Sequence, residues 1–467
     1  MMTHQPYSPQ RGHSWTQLCV AIGLAVAAAG NSPATAAPAG EKQLFIPADV
    51  SRVPAGNDYD DDSSEYCYDR MVEGPNVAIF WHKEYGDDPL TNPDERRRFD
   101  VHNMLSECER FFDCYVNQLQ VVKQGDSISD KYKLLIFVFG GDEGTAFGGG
   151  IDDTVGAVWT PAVRVNKPPY GVLAHEMGHS FQFMSRVDSG TGAGGPIGEM
   201  SAQYMLWQVY PDWMTFENYH LVDFMKKTHF AFLHPTNMYH SPYVLEYWSE
   251  MHGQTFYGEL NRQTRPGEDV VATYKRLHDL DQSEFNDEMF DAARRFITWD
   301  LARIEKAARP YADQHECALQ SVDDGWFCIA PERCPQNYGY NGIRLDVPAA
   351  GSTVEVQFRG LAGTEADDSA RADKAGWRYG FLAHLQDNRR VYGEVGRDRD
   401  GTAAFDVPDE TAHLWLVVMG APTEHSPVAP WGRRRQRSGD ADEQQWPYQI
   451  KLSGTTLHSS CIEDRSP

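Results

Sequence analysis

Positive charge is scarce in this sequence, which has 42 Lys and Arg residues against 67 Asp and Glu residues. The formal net charge is -25 at pH 7. Such a surface argues against nucleic acid and anionic membranes as partners, because both carry negative charge. We therefore expect no nucleic-acid partner, and the charge otherwise indicates a well-solvated acidic surface.

Long apolar runs are also missing, except near the N-terminus. The run Leu18–Ala28 follows Arg11 and is too short to span a bilayer. Small residues follow it, including Ala34-Thr35-Ala36, which matches the A-x-A cleavage pattern of secretory signal peptides. We predict that residues 1–37 are a signal peptide and that the mature protein is secreted, with no membrane span.

Cysteines are few, and no two of them are spaced as C-x2-C, which argues against a four-thiolate zinc site. Seven remain after residue 37, an odd number that leaves at least one unpaired or bonded to another chain. Cys317, Cys328 and Cys334 are neighbours in sequence and suggest a stapled connector in an exported protein. Their pairing stays open.

The patterns that are present place strands before helices. Hydrophobic residues make up 41% of the 467 residues, enough for a globular chain of two or three domains. Val77–Trp81 and Tyr132–Phe139 are predicted strands, and Val155–Thr160 is a short third strand. We expect this third strand at a sheet edge, where an extended peptide could pair along Gly156–Thr160. Gly148-Gly149-Gly150 is predicted to be a flexible loop.

Helical patterns follow these strands and indicate an α+β fold. Asn92 is a plausible cap for the first helix, which is predicted to run to about Leu119. The clearest later helices are Tyr170–Met184, Glu199–Tyr210, Tyr243–His252 and Glu284–Arg309. After Pro310 the chain changes to short alternating strands and turns, which predicts a C-terminal β-sandwich.

One motif carries chemistry. His175-Glu176-Met177-Gly178-His179 is an H-E-x-x-H sequence, and positions i and i+4 lie on one face of a helix. Two imidazoles placed in this way can reach one zinc ion at about 2.0–2.1 Å. Glu176 follows the first ligand directly, where its carboxylate can take the proton of a water that attacks a polarised carbonyl.

The alternative is a structural helix whose histidines make ordinary hydrogen bonds in the core. That alternative leaves Glu176 charged on a buried helix without a partner, which is costly. The flanking residues Val172 to Ala174 and Ser180 to Phe181 are apolar or small, as expected for a buried helix with one open face. The motif therefore favours zinc binding.

A catalytic zinc site needs a third protein ligand. The metzincin pattern is excluded, because Gln182 and Ser185 stand where it needs Gly and His. Glu199 opens a predicted helix 20 residues after His179. This placement resembles the thermolysin-like, or gluzincin, peptidases, in which a Glu on the following helix closes the site. Asp188 is the rival third ligand, as in peptidases that use an aspartate.

The resemblance to gluzincins implies two further roles. The acceptor for the second N–H of a zinc-bound histidine lies one turn after the glutamate, and here that residue is Gln203, a weaker acceptor than an acid. A donor for the developing oxyanion comes from the next helical region, where Tyr239, His240 and Tyr243 are the candidates. We carry Tyr239 and His240 forward as catalytic candidates beside Glu176.

Over residues 75–455 the chain also resembles a family of exported proteins of unknown function. The resemblance rests on a set of short segments: Phe80-Trp81, Ala174–Gln182, Glu199 with Ala202, Thr298-Trp299-Asp300, Gly420-Ala421-Pro422 and Gln445–Gln449. It implies a zincin-like domain followed by a β-domain, and it supplies no substrate.

These inferences predict the order of segments along the chain. They are a signal peptide (1–37), a leader segment (38–70), a zincin-like catalytic domain (71–310), a Cys-containing connector (311–342), a β-sandwich domain (343–455) and a C-terminal tail (456–467). The acidic stretch Asp58–Glu65 could bind calcium, but it lacks the Gly and Glu spacing of a calcium loop and is better interpreted as solvated.

We predict a secreted zinc-dependent peptidase of the gluzincin type, with one catalytic Zn²⁺ and a protein, peptide or glycoprotein substrate. The alternative is a non-catalytic binding or adhesion protein on a zincin scaffold. Its β-domain would then contact carbohydrate or a surface through Trp377, Trp415, Trp431 and Trp446. A third hypothesis is a zinc hydrolase for a non-peptide amide or ester. The oligomeric state is open.

Overall fold

The structure is a computed structural model that describes residues 41–142, 144–192, 196–364, 371–426 and 444–462, without the side chain of Phe216. The predicted signal peptide and Trp431 lie outside the described residues. Within those residues no helix is both long enough and apolar enough to cross a bilayer. The fold is mixed α+β, as predicted.

The first sheet has five strands in the order β1-β2-β3-β5-β4. Its strands are β1 (Met71–Glu73), β2 (Val77–Trp81), β3 (Leu134–Phe139), β4 (Phe147–Ile151) and β5 (Val155–Pro161). β2, β3 and β5 run parallel, and every residue in these three strands is buried. Burial on both faces explains why they appear in the sequence as continuous apolar runs.

Ten α-helices occur in the part of the chain that the structure describes. They are α1 (Val101–Asp113), α2 (Gly171–Ser189), α3 (Pro196–Val209), α4 (Trp213–Phe216), α5 (Tyr219–Lys226), α6 (Tyr243–His252), α7 (Phe256–Arg262), α8 (Val270–His278), α9 (Gln282–Thr298) and α10 (Glu305–Ala308).

Two predicted helix boundaries are wrong. The first helix does not begin at Asn92, whose side chain instead accepts a hydrogen bond from the Asp94 N–H in a local turn. It begins at Val101, where Asp100 provides the cap. The last predicted helix is interrupted after Thr298, because the buried Trp299 takes a left-handed backbone conformation with φ of 56°.

The predicted edge of the first sheet is also wrong. β5 lies between β3 and β4, and the edge strand is β4, the glycine-rich segment that was predicted to be a flexible loop. The glycines are needed because α2 crosses directly over this strand. A Cβ on Gly148 would lie 1.9 Å from the backbone oxygen of Glu176, and a Cβ on Gly150 would lie 2.0 Å from the ring of Phe183.

Helix α2 is held between this sheet and α3. The Ser180 hydroxyl donates to the backbone oxygen of Ala157 in β5 at 2.8 Å. On the other side, a Cβ on Gly178 would lie 3.2 Å from the Cα of Ala202 in α3. Small residues therefore bring α2 and α3 together, and the relative position of the two helices is set by backbone contact.

The C-terminal part contains two antiparallel sheets that face each other. One has the order β11-β10-β13-β8 and the other β12-β9-β14-β7-β6. The strands are β6 (Leu319–Ser321), β7 (Trp326–Ile329), β8 (Tyr340–Leu345), β9 (Thr353–Gly360), β10 (Trp377–Leu385), β11 (Arg390–Tyr392), β12 (Asp400–Asp406), β13 (Thr411–Gly420) and β14 (Tyr448–Ser453). Phe358 and Tyr379 stack between the sheets with ring centroids 4.2 Å apart.

The four-stranded sheet takes part in two cores. On β13, Leu414, Leu416 and Val418 belong to the core between the two sheets. The intervening Trp415 and Val417 belong to the core of the helical part. The boundary between the predicted catalytic domain and β-domain is thus a shared sheet, and the numerical boundaries stay a prediction.

The region predicted as a Cys-containing connector contributes strands to the two C-terminal sheets. It contains β6, β7 and the start of β8. Cys317, Cys334 and Cys461 are buried in the core between the sheets. Burial raises the pKa of the Cys317 thiol well above its usual range, so these residues behave as small apolar side chains.

The segment predicted as a leader covers the outer face of the first sheet. Val50 and Tyr66 are buried there in one core with Phe80 and Phe137. The acidic stretch within it forms local turns, in which the Asp61 carboxylate accepts from the backbone and hydroxyl of Ser63 at 2.9 Å.

Candidate metal centre

Two imidazoles project from one face of α2. His175 and His179 are four residues apart, and their Nε2 atoms lie 3.2 Å from each other. Their rings meet edge to face, with centroids 4.9 Å apart and an interplanar angle of 81°. The helix geometry thus brings both nitrogens to one point.

Glu199, in the first turn of α3, completes this group. Its Oε2 lies 3.2 Å from Nε2 of His175 and 3.2 Å from Nε2 of His179. A tetrahedral zinc ion with ligands at about 2.0–2.1 Å requires ligand atoms about 3.3 Å apart. The triangle of two nitrogens and one oxygen therefore has the size that zinc would need.

The other imidazole nitrogens are held by glutamines. Nδ1 of His179 lies 3.1 Å from Oε1 of Gln182, and Nδ1 of His175 lies 3.1 Å from Oε1 of Gln203. An amide oxygen only accepts, so in both neutral rings the proton is on Nδ1 and Nε2 has a free lone pair. With the Glu199 carboxylate, the triangle consists of three acceptor atoms.

Three converging acceptors are unfavourable unless a cation lies among them. Burial tends to raise the pKa of Glu199, but His175 and His179, which attract the carboxylate when they carry a proton on Nε2, outweigh it and hold the pKa far below its usual range. Burial likewise tends to lower the pKa of His179, and the neighbouring Glu199 and Glu176 carboxylates raise it overall. The electrostatics of the site therefore favour bound positive charge.

Glu176 lies beside the triangle. A carboxylate oxygen of Glu176 lies within 4.8 Å of a ring nitrogen of His175 and of His179. Burial raises the pKa of Glu176, an effect that the neighbouring histidines and a hydrogen bond from the Gly148 backbone oppose. The half-buried acid thus has partners without a metal, so its burial alone does not exclude the structural-helix alternative.

A cleft of about 370 Å³ opens beside this group and is lined by His175 and Gln203. Its walls include Glu176, Tyr239, Trp213, Glu217 and Arg164. The ring of Tyr239 lies nearly parallel to that of His175, with centroids 6.2 Å apart. Burial and the nearby Glu199 carboxylate raise the pKa of Tyr239 to about 12, so the phenol keeps its proton.

The remaining predicted residues lie elsewhere. His240 contacts His220, with their Nδ1 atoms 3.0 Å apart, and does not project into the cleft. Tyr243 is buried in the core against Trp207. Asp188, the rival third ligand, accepts a hydrogen bond from the Ile128 N–H at 2.9 Å, away from the histidines.

Sequence reasoning missed several residues of the site. Gln182 was used only to exclude the metzincin pattern, although it occurs in the segment on which the family resemblance rests. Trp213, Glu217 and His220 come from α4, α5 and the turn between them. No spacing rule connects these short helices to the H-E-x-x-H motif.

Comparison with known proteins identifies a family but no activity. A family of unknown function (DUF6055) matches residues 36–459. No curated protein matches the chain.

Among solved structures, two variants of a family 29 carbohydrate-binding module are similar over 31% of this chain. They are 15% and 14% identical, cover 78% and 72% of the module, and both have a TM-score of 0.16. A Glycosylation Associate Protein complex from Streptococcus agalactiae is 10% identical over 29% of this chain and 38% of that chain, also with a TM-score of 0.16. TM-scores this low carry no argument about fold or function.

Proposed function

The chain belongs to this family of unknown function (DUF6055), and we propose from its own site that it is a secreted zinc-dependent peptidase. His175, His179 and Glu199 hold one zinc ion, and Glu176 is the general base. The observation that carries the proposal is the triangle of three acceptor atoms with sides of 3.2 Å, with the carboxylate of Glu176 beside it.

The donor set supports zinc in a catalytic rather than a structural role. Two imidazoles and one carboxylate are typical of catalytic zinc sites, which keep one position open. The cleft provides that open side. Zinc bound there would polarise a substrate carbonyl and acidify water.

The protein's own groups supply the proton transfers. Glu176 takes the proton from the attacking water and returns it to the leaving amine. Its raised pKa brings the carboxyl closer to neutral pH, where both steps are efficient. Tyr239 keeps its proton and can donate a hydrogen bond to the oxyanion that develops on the carbonyl.

An extended substrate can pair with β4. This strand is the edge of the first sheet, and its glycines pack against α2 next to Glu176. Backbone groups on a free edge recognise a peptide in extended conformation without regard to its side chains. This role replaces the one predicted for Gly156–Thr160, because β5 has neighbours on both sides.

The wider assignments are also proposals. We propose that residues 71–310 form a zincin-like catalytic domain, that residues 343–455 form a β-sandwich domain, and that the chain is exported through its N-terminal signal peptide. The binding alternative proposed that tryptophans of the β-domain contact carbohydrate. Trp377, Trp415 and Trp446 are at most 1% exposed and cannot stack on a sugar.

The proposal is tested by the zinc content of the purified mature protein, measured by elemental mass spectrometry. We expect about one zinc per chain, lost in His179→Ala and in Glu199→Ala because each removes a ligand. Asp188→Ala is the matched control and should keep its zinc. Retention of zinc in Glu199→Ala with loss in Asp188→Ala would reject the ligand set. A folded wild type that binds no zinc when zinc is supplied in excess would reject the function.

Substrate class is tested in the same preparation. Casein and gelatin should be cleaved, and a chelator should stop cleavage. Cleavage of small amides or esters with none of peptides would favour the third hypothesis of a non-peptide hydrolase.

A further inference from the structure

The amide of Gln203 connects two imidazoles. Its Oε1 lies 3.1 Å from Nδ1 of His175, and its Nε2 lies 3.2 Å from Nε2 of His220. His220 in turn contacts His240, with their Nδ1 atoms 3.0 Å apart. Nε2 of His240 lies 3.8 Å from the carboxylate of Asp223, whose side chain is 41% exposed. These five side chains form a chain of contacts from the metal centre to the surface.

We propose that His220 and His240 are positioning residues, which hold the amide of Gln203 in one orientation and thereby keep the Nε2 lone pair of His175 free for zinc. The proposal rests on the proposed function, because it takes Nε2 of His175 to be a zinc ligand.

Hydrogen-bond complementarity gives the chain a single direction. The Gln203 nitrogen only donates, so Nε2 of His220 must accept, and the His220 proton is on Nδ1. This proton is donated to Nδ1 of His240. His240 must then have its own proton on Nε2, which is the nitrogen that faces Asp223. Each of the three hydrogen bonds from His175 to His240 then has one donor and one acceptor.

The other end of the amide determines the state of His175. With its oxygen toward His175, Gln203 accepts the Nδ1 proton and leaves Nε2 free. A rotated amide would present its NH2 group to Nδ1. The proton of His175 would then move to Nε2, where it would block a metal.

A glutamine side chain must be held in one of its two amide orientations to accept from His175. A glutamate needs no such restraint, because both oxygens of a carboxylate accept. The amide orientation of the second glutamine, Gln182, is fixed by two oxygen acceptors. Its NH2 group donates to the Gly198 backbone oxygen at 2.8 Å and to the Ser201 hydroxyl at 2.9 Å. The corresponding acceptor for Gln203 is the imidazole of His220, and His240 keeps that imidazole in the accepting tautomer.

The two histidines are suited to this role only when neutral. Burial and the neighbouring His240 and His175 lower the pKa of His220 to about 4. Burial and Lys227 also lower the pKa of His240, which the Asp223 carboxylate opposes. Both rings are therefore uncharged at neutral pH.

The tautomers are measured directly by two-dimensional ¹⁵N NMR of histidine side chains, with His220→Phe and His240→Phe for assignment. We expect the proton on Nδ1 in His220 and on Nε2 in His240, with or without zinc. In Gln203→Glu, the new carboxylate accepts from His220, so its proton should move to Nε2. The opposite tautomers in the wild type, or no change in Gln203→Glu, would overturn the proposal.

Zinc affinity by chelator competition tests the consequence. His220→Phe should raise the Kd for zinc about tenfold, since loss of outer hydrogen-bond partners costs about 10–100-fold. The matched control is His229→Phe, a buried histidine outside the chain of contacts whose pKa burial also lowers to about 4; its Kd should change by less than about twofold. Equal losses in the two variants would reject a positioning role.

Rescue separates positioning from simple damage to the fold. A carboxylate at position 203 accepts in either orientation. Adding His220→Phe to Gln203→Glu should therefore change the Kd for zinc by less than about twofold. A tenfold loss that persists in this background would overturn the proposal.

If the wild type binds no zinc at all, the proposed function fails, whereas the tautomers still report on the hydrogen-bond chain. Two zinc ions per wild-type chain would instead indicate that the His220 and His240 nitrogens bind metal themselves.

Discussion

Two buried clusters of histidine and carboxylate lie in different parts of the molecule and differ in how their hydrogen bonds close. In the C-terminal part, Nδ1 of His384 lies 2.6 Å from the carboxylate of Asp313 and its Nε2 lies 3.1 Å from the Asn388 amide oxygen. The Trp415 indole donates to the second oxygen of Asp313 at 2.8 Å. A protonated His384 satisfies every acceptor in this cluster.

The candidate metal centre has the opposite balance. Both Nδ1 protons of His175 and His179 are used on glutamine oxygens, and only acceptors face one another across 3.2 Å. With His384 protonated, the Asp313 cluster gives each acceptor a donor. With neutral imidazoles, the Glu199 cluster presents three acceptor atoms to one another, and a proton or a metal ion would relieve this arrangement.

The largest expected effect is on catalysis. Glu176→Gln should lower kcat/KM on a peptide substrate by about a thousandfold, because an amide cannot take the proton from water. Zinc content should not change, since Glu176 is not one of the three ligands. Steady-state kinetics and elemental analysis of the same preparation measure both.

The matched control is Glu217→Gln, the same substitution in the wall of the same cleft. We expect it to lower kcat by less than about tenfold, because Glu217 has no part in the proton transfer. Comparable losses in the two variants would remove the assignment of Glu176 as base.

The next effect is on stability and concerns the cluster of Asp313 and His384. Asp313→Asn should lower the free energy of unfolding by about 3 kcal/mol, because His384 loses a buried charged partner. The backbone of Asp313 is left-handed, with φ of 61°, and asparagine tolerates this conformation. Zinc content should be unchanged. Denaturant unfolding is the measurement, and the exposed Asp387→Asn should leave the free energy of unfolding unchanged.

The same pair predicts a pH dependence. Burial opposes but does not outweigh the hydrogen bond and charge of Asp313, so the pKa of His384 is raised in the folded protein. A raised pKa means that the stabilisation is complete below the unfolded pKa and is lost as pH rises through the folded value. Burial likewise opposes the His384 interactions that lower the pKa of Asp313, so its contribution is lost as pH falls through the folded value. Asp313→Asn should flatten both limbs, and unchanged limbs would contradict the assignment.

The contrast also explains how much the sequence predicted. Both histidines and Glu199 were predicted because helical spacing and the loop between two helices constrain them locally. Gln203 was predicted by its position one turn after Glu199. What holds Gln203 could not be predicted, because His220 reaches it from α5 through tertiary packing alone.

Glycine and cysteine each allow two interpretations in the sequence. Gly148 and its neighbours indicate a loop when only conformational freedom is considered, but close approach of α2 requires them in a strand. Cys317 and Cys334 suggested a stapled connector, yet they fill the core between two sheets. In both cases the residue type has two physical uses, and only the packed neighbours decide which applies.

The smallest of these effects concerns Tyr239 and sharpens the distinction between binding a cation and using it. Tyr239→Phe should lower kcat about a hundredfold, because it removes one donor to the oxyanion. KM and zinc affinity should change little, since the ring and the three ligands remain. Loss of zinc binding together with loss of kcat would instead make the phenol a support for Glu199, whose carboxylate helps to raise the pKa of Tyr239. An unchanged kcat would mean that none of the three predicted candidates donates to the oxyanion, because His240 faces His220 and Tyr243 is buried in the core.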